Sequence, residues 1–268
     1  KQIVFLHPKD TAGVLVELCA SAPLVRDPLS VTVGGREIAG WALGREDGPV
    51  FLALHGALGT SEQMERFAEV WARDVRVIAL DLPGHGGSRD DREMTWATFT
   101  EGVVGVLDAL DLRDVRLFGY SLGAGVGLQV ARHRPERISR LALHAPNVQW
   151  TAREVTRMTD GLRNVTEAVG ARLASLHGPD WREVVSRMIA FSERLPSRWI
   201  SDDALAEVSA PALVSIGDRD GLFEVEAALH LARTLPEARL WVIPGAEHAL
   251  ASLDTEAVAR AVAEWLLA

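Results

Sequence analysis

Residues 117–125 read LFGYSLGAG, one serine between glycines where an apolar run meets a helical one. Gly and Ser are common turn residues, so a plain turn is one account of Ser121. The spacing Gly119-x-Ser121-x-Gly123 supports another. On a sharp strand-to-helix turn, this pattern presents a serine hydroxyl in a strained backbone conformation. The glycines stand where side chains would strike the neighbouring strand and helix. The following helix points its N-terminus at the site, which favours developing negative charge. A neutral serine hydroxyl is a poor nucleophile and needs a base held by a third group. The chemistry to look for is attack by Ser121 on a carbonyl, assisted by a histidine and a carboxylate.

Eight histidines compete for the role of base. In LHG, His55 reads as a place where the backbone is the useful part. His85 belongs to the glycine-rich turn of DLPGHGGS, and His144 ends a strand. His133, His177 and His230 sit in or beside helical stretches and read as surface or packing residues. His248 differs, because it follows the late strand ARLWVIPG in the loop GAEH. For the acid, LVSIGDRDG ends another strand and offers Asp218 and Asp220. Either could simply cap the next turn. Asp220 lies further into the loop and is preferred as the residue that reaches His248. Asp81, in LDLPGHGGS, reads as structural, since Asp side chains commonly bond nearby backbone groups.

These residues must be positioned by strands. LSVTVGG and REIAGWALG read as a hairpin turning at Gly34 and Gly35. PVFLALHG, VRVIALDLPG, VRLFGY, ISRLALHAP, APALVSIGD and ARLWVIPG are apolar strand runs. Helical patterns lie between them. In TSEQMERFAEVWARD, Met64, Phe67 and Trp71 share one face, and Thr60 with Gln63 has the spacing of a capping box. TWATFTEGVVGVLDAL, LGAGVGLQVARH, EVEAALHLARTL and DTEAVARAVAEWLLA are further helices. Such alternation predicts a mostly parallel sheet covered by helices on both faces. In such sheets ligands bind beyond the carboxyl ends of the strands, where Ser121, Asp220 and His248 all fall. Residues 147–207 break the rhythm with helical pieces and no convincing strand. A segment of that length is too long for a plain connection and reads as a helical cap. Its Trp150, Trp181, Phe191 and Trp199 either glue the cap helices together or line an apolar pocket.

Composition bounds the function. The chain has 268 residues, 48% hydrophobic and 24% charged, with a net charge of −9 and no basic block. That argues against a nucleic-acid-binding surface. No apolar stretch approaches a membrane span. One cysteine, Cys19, permits no internal disulfide and fits a reducing, cytoplasmic setting. The N-terminus lacks the features of a signal peptide. It begins with Lys rather than Met, so the chain reads as trimmed or as part of a longer product.

LHGALG, ALDLPGHGGS, GYSLG, GDRD and GAEH occur in an order that resembles the α/β-hydrolase superfamily from about residue 28 to the end. Ser121, Asp220, His248 is that family's chain order of nucleophile, acid and base. The resemblance implies an α/β-hydrolase fold with a helical cap insertion. It places the oxyanion N–H groups on Ala57 and Leu122 and the nucleophile elbow at Gly119 and Gly123. Some relatives take the acid from the loop after the preceding strand, where Asn147 stands here and cannot serve. The implied reaction is acyl transfer to water, without metal or cofactor. A serine nucleophile sets the chain apart from haloalkane dehalogenases and epoxide hydrolases, which use Asp there. The expected substrate is a small-molecule carboxylic ester or thioester of a small to medium apolar acyl group. Carbon–carbon bond hydrolases or lyases, enol-lactonases and slow-turnover ligand sensors of the same fold remain open alternatives.

Residues 1–20 do not look like the usual start of such a hydrolase. QIVFLHPKDTAGVLVELCA resembles the C-terminal end of methylmalonyl-CoA epimerase, a metal-binding family in which the residue matching Glu17 is a ligand. The other ligands are absent, and one carboxylate, even with His7, does not make a metal site. From its residues the stretch reads as QIVFL and GVLVEL strands around an HPKDTAG turn. An isolated hairpin is marginal in water. Its apolar residues therefore need cover from the hydrolase (21–268), from an upstream epimerase-like domain or from a second copy in a homodimer.

Overall fold

A computed structural model of the protein describes residues 2–6, 16–20, 24–195 and 197–268. Side chains are described from residue 24 onward. Strands β1 (Gln2–Leu6) and β2 (Val16–Ala20) pair antiparallel as a separate two-stranded sheet. The expected turn between them, and Gly13 to Leu15 of the second expected strand, lie outside the described residues. So do the side chains of His7 and Glu17.

The hairpin β3 (Asp27–Val33) and β4 (Arg36–Gly44) turns at Gly34 and Gly35, both with positive φ. After it come β5 (Val50–Leu54), α1 (Glu65–Trp71), β6 (Arg76–Leu80), α2 (Trp96–Ala109), β7 (Val115–Tyr120), α3 (Leu122–His133) and β8 (Ile138–His144). Four helices then precede the next strand: α4 (Ala152–Arg163), α5 (Glu167–His177), α6 (Trp181–Glu193) and the short α7 (Asp202–Ala206). The chain closes with β9 (Ala212–Gly217), α8 (Val225–Thr234), β10 (Ala238–Ile243) and α9 (Thr255–Leu267).

The eight-stranded sheet has the order β10-β9-β8-β7-β5-β6-β4-β3. The six strands from β10 to β6 run parallel, and β4 and β3 are antiparallel additions at one edge. Their buried, nearly continuous apolar runs are what a sheet covered on both faces requires. One face packs on α2, α3 and α8, with Leu52, Leu54, Leu117 and Leu143 in its core. The other packs on α1 and α9, where Phe51, Phe67, Trp71 and Phe118 form an aromatic cluster with centroids 5.3–5.6 Å apart. The Trp71 indole crosses that layer to donate to Ala259 O at 2.8 Å, tying α1 to α9. Helix α7 packs against α3 and α8, unlike α4–α6, which pack on one another.

The start of the first helical segment differs from expectation. Residues 61–64 form a 3-10 turn, and the Thr60 side chain makes no capping bond. The Gln63 amide oxygen is turned away to accept the Gly56 N–H at 2.9 Å. A more valuable buried partner, the backbone of the loop after β5, takes the side chain that the spacing assigned to a cap. No helix among the described residues is long and apolar enough to cross a membrane.

Candidate active site

β7 runs into α3 with a single intervening residue, Ser121, at φ 52° and ψ −112°. Positive φ is strained for a residue with a side chain. The turn is held by Ser121 N–H donating to His144 O at 2.9 Å, and by Ser121 O accepting from Ala124 and Gly125. Both flanking glycines are sterically required. A Cβ on Gly119 would lie 2.4 Å from Gly123 O, and one on Gly123 would lie 2.4 Å from Leu54 O.

Asp220 and His248 arrive from the loops after β9 and β10. His248 Nδ1 lies 2.8 Å from Asp220 Oδ2, and its Nε2 lies 3.2 Å from Ser121 Oγ. The Asp220 side chain is wholly buried. Burial pushes its carboxyl upward. The hydrogen bond and charge of His248, with the Phe223 and Leu222 N–H groups, outweigh that and hold it below the usual range. An ionised carboxylate only accepts, so Nδ1 carries the proton and Nε2 is free to accept from the Ser121 hydroxyl. Asp218 does a different job: it is exposed and accepts the Gly245 N–H at 2.6 Å, linking the two loops.

The His248 side chain and backbone are also packed into place. Tyr120 donates its hydroxyl to His248 O at 3.0 Å. The Phe223 ring stands edge-on to the imidazole, 4.9 Å between centroids. Neither contact was visible in the sequence, since Tyr120 occupies a variable position of the elbow motif and Phe223 is one apolar residue among many.

Ala57 and Leu122 line the same cavity as Ser121, and neither N–H donates to a backbone carbonyl among the described residues. Leu122 opens α3, so its amide has no intrahelical partner. The loop bearing Ala57 is braced by side chains. His55 Nε2 accepts the Leu82 N–H at 2.9 Å, so its Nδ1–H donates to Gly56 O at 2.7 Å. This fixes one neutral tautomer, and burial holds His55 down to about 4. Here the His55 side chain, rather than only its backbone, matters. From α5, His177 accepts the Gly86 N–H and donates to Leu58 O. It is a buried connector, beyond the packing role its sequence position suggested. Asp81 accepts from Ser61 and Gly87 N–H and braces the same region.

The cavity beside Ser121 is narrow and walled mainly by apolar and aromatic side chains. α4 and α6 contribute Met158, Met188 and Phe191, and the flanking segments contribute Trp150 and Leu195. Of the other tryptophans expected to glue or line, Trp199 stacks on Trp96 at 4.0 Å, and Trp181 packs against Gly170 of α5. Among the described residues, no group of three or more His, Cys, Asp or Glu side chains is arranged to hold a metal ion.

Comparison with known proteins identifies the family and the fold. A dihydrolipoyllysine-residue acetyltransferase component of an acetoin cleaving system from Pseudomonas putida is 31% identical over 252 residues, 82% of this chain. The chain spans 64% of that protein's length. A pimeloyl-acyl-carrier-protein methyl ester esterase of Neisseria meningitidis is 27% identical over 211 residues, 69% of this chain and 79% of that one. The solved structure of 2-hydroxy-6-oxo-6-phenylhexa-2,4-dienoate hydrolase from Rhodococcus sp. strain RHA1 is similar in fold, with a TM-score of 0.80. It is 19% identical, with 92% of this chain and 100% of that one covered. The alpha/beta hydrolase family model matches residues 50–261, which is most of the chain: the protein belongs to the alpha/beta hydrolase family.

Proposed function

We propose that this hydrolase cleaves a carboxylic ester or thioester of a small to medium apolar acyl group through an acyl-enzyme on Ser121. The observation that carries the reading is the unbroken line Asp220–His248–Ser121, at 2.8 and 3.2 Å. His248 Nε2 takes the hydroxyl proton as Ser121 Oγ attacks the carbonyl carbon. The carbonyl oxygen becomes an oxyanion facing the free N–H groups of Ala57 and Leu122. In well-studied hydrolases one such donor contributes about 3–4 kcal/mol to the transition state. Asp220 orients the imidazole and stabilises its positive form. The imidazolium then protonates the departing alcohol or thiol. Water, deprotonated by the same nitrogen, attacks the acyl-enzyme and releases the acid.

The apolar cavity supports an apolar acyl group, and α4–α6 act as a cap over it. The similarity to a methyl ester esterase points the same way. The chain from Ser121 to Asp220 calls for no metal or cofactor, and the N-terminal twenty residues take no part in the reaction. A cytoplasmic enzyme fits the single cysteine.

A panel of p-nitrophenyl esters of rising chain length, assayed beside acyl-CoA thioesters, tests the reading. Steady multiple turnover with a preference for short to medium acyl chains is expected. A single stoichiometric burst would favour a ligand sensor. Turnover confined to a vinylogous diketone would place the chemistry at a carbon–carbon bond.

A further inference from the structure

The cavity beside Ser121 is apolar in most of its wall, yet some residues of that wall carry buried hydrogen-bond donors with nothing to bond. Asn147 is 5% exposed, and its Nδ2 has no partner among the described residues. The amide is not free to turn, because Oδ1 accepts the Gln149 N–H at 3.0 Å. That bond needs the oxygen on the Gln149 side, so the NH2 group is the end left unpaired. The indole Nε1 atoms of Trp150 and Trp96 are also buried without partners, and both residues line the same cavity. An indole N–H only donates. Three residues that line one small space therefore carry unpaired buried donors, and no charged side chain among the described residues lines it.

Asn147 and Trp150 are also rigidly held. The Asn147 carbonyl accepts the Trp199 indole N–H at 2.9 Å, and the Trp150 N–H donates to Ser197 O at 2.6 Å. The Trp150 ring stands edge-on to Phe223 at 5.1 Å, and Phe223 stands edge-on to His248. The donors are thus fixed in the same packed assembly as the base. Buried donors normally find acceptors, and among the described residues none bonds Nδ2 or the indoles.

We infer that Asn147 and Trp150 are specificity-determining residues that recognise a neutral acceptor oxygen on the substrate's acyl chain, such as a keto, ether or hydroxyl oxygen. This rests on the serine acyl-transfer reading and narrows its substrate class. A carboxylate is disfavoured, because no cation among the described residues lines the cavity to offset the burial of its charge. A plain alkyl chain is disfavoured because it would leave the donors unpaired. Sites built to bond a substrate polar group discriminate strongly against analogues that lack it.

The test uses p-nitrophenyl hexanoate and matched esters in which the methylene at position 3, 4 or 5 is replaced by an ether oxygen or a carbonyl. An ester with a terminal carboxylate completes the set. The best oxygen-bearing ester is expected to exceed hexanoate in kcat/KM by about tenfold or more. That ratio should fall toward one in Trp150→Phe, which removes only the N–H and part of the ring. It should also fall in Asn147→Asp, which retains an acceptor for Gln149. Because the ratio is read within each variant, a general loss of stability or rate does not mimic the result. A parallel calorimetric measurement on Ser121→Ala compares the corresponding acyl amides, and about tenfold tighter binding of the oxygen-bearing one is expected. Equal values for plain and oxygen-bearing ligands, preference for the carboxylate, or a ratio unchanged by both variants would overturn the inference. If the wild-type protein hydrolysed no ester while the amide preference held, the reaction reading would fail and this one would stand.

Discussion

The imidazole of His177, at the end of α5, holds the carbonyl of Leu58: Nε2 lies 3.0 Å from Leu58 O while Nδ1 accepts the Gly86 N–H at 3.0 Å. Leu58 has φ +56° and directly follows Ala57. One side chain from the inserted helices thereby fixes the loop that, on the proposed reading, receives the oxyanion. The arrangement requires a neutral ring, since protonation of Nδ1 would set one N–H against another. Burial holds His177 below its ordinary pKa, against the opposing pull of the Leu58 carbonyl and the Asp81 charge.

His177→Ala is therefore expected to lower kcat for a p-nitrophenyl ester by roughly tenfold, with KM changed by less than about threefold. An interaction that matters only in the transition state lowers kcat and kcat/KM together. Steady-state kinetics at neutral pH checks this. A variant with normal kcat and a raised KM would assign His177 to substrate binding instead.

The two candidate acids separate by what they hold. Asp220→Asn should reduce kcat by roughly a thousandfold or more, as loss of the correctly oriented imidazole does in serine proteases. Asp218→Asn keeps an acceptor oxygen for Gly245 and should stay within about threefold of wild type, because that bond is loop-to-loop and solvent-exposed. The same ester assay on both variants decides, and the reverse ranking would move the acid to Asp218.

Buried histidines make stability depend on pH. Burial holds both His55 and His144 down to about 4. In the unfolded chain each titrates near its ordinary value of about 6.5. Between these values the unfolded state binds more protons, so stability is full above about pH 6.5 and is lost as pH falls toward 4. From pH 7 to pH 5 each such histidine removes about 2 kcal/mol of unfolding free energy. His144→Phe, whose ring can still stack on Tyr120, should flatten the dependence by about that amount. Urea unfolding at the two pH values measures it, and an unchanged slope would show that His144 titrates normally in the folded protein.

Much of the scaffold was readable because the parallel strands are short, apolar and bounded by turn residues. Val50–Leu54 and Ala212–Gly217, for example, are buried along almost their whole length. Ser121, Asp220 and His248 stood out because each follows such a run, and strand ends in a parallel sheet converge on one edge. The supports were not readable. His177 meets Gly86 across 91 residues and Leu58 across 119. Tyr120 reaches His248 across 128. These contacts depend on how the inserted helices and late loops settle on the sheet, which local spacing does not encode. Gln63 shows the same limit at short range, since tertiary demand from Gly56 N–H overrode a plausible cap at Thr60.

On the proposed reading, Ser121 Oγ forms a covalent bond to the reacting centre, activated by His248. The most direct measurement of that bond is the intact mass of the protein after exposure to a p-nitrophenyl alkylphosphonate, followed by peptide mapping. One phosphonyl group per chain is expected, on the peptide containing Ser121, with stoichiometric p-nitrophenol release. No adduct is expected in Ser121→Ala, and much slower labelling in His248→Ala. An unmodified mass in protein that turns over p-nitrophenyl esters, or an adduct on any other residue, would contradict that reading.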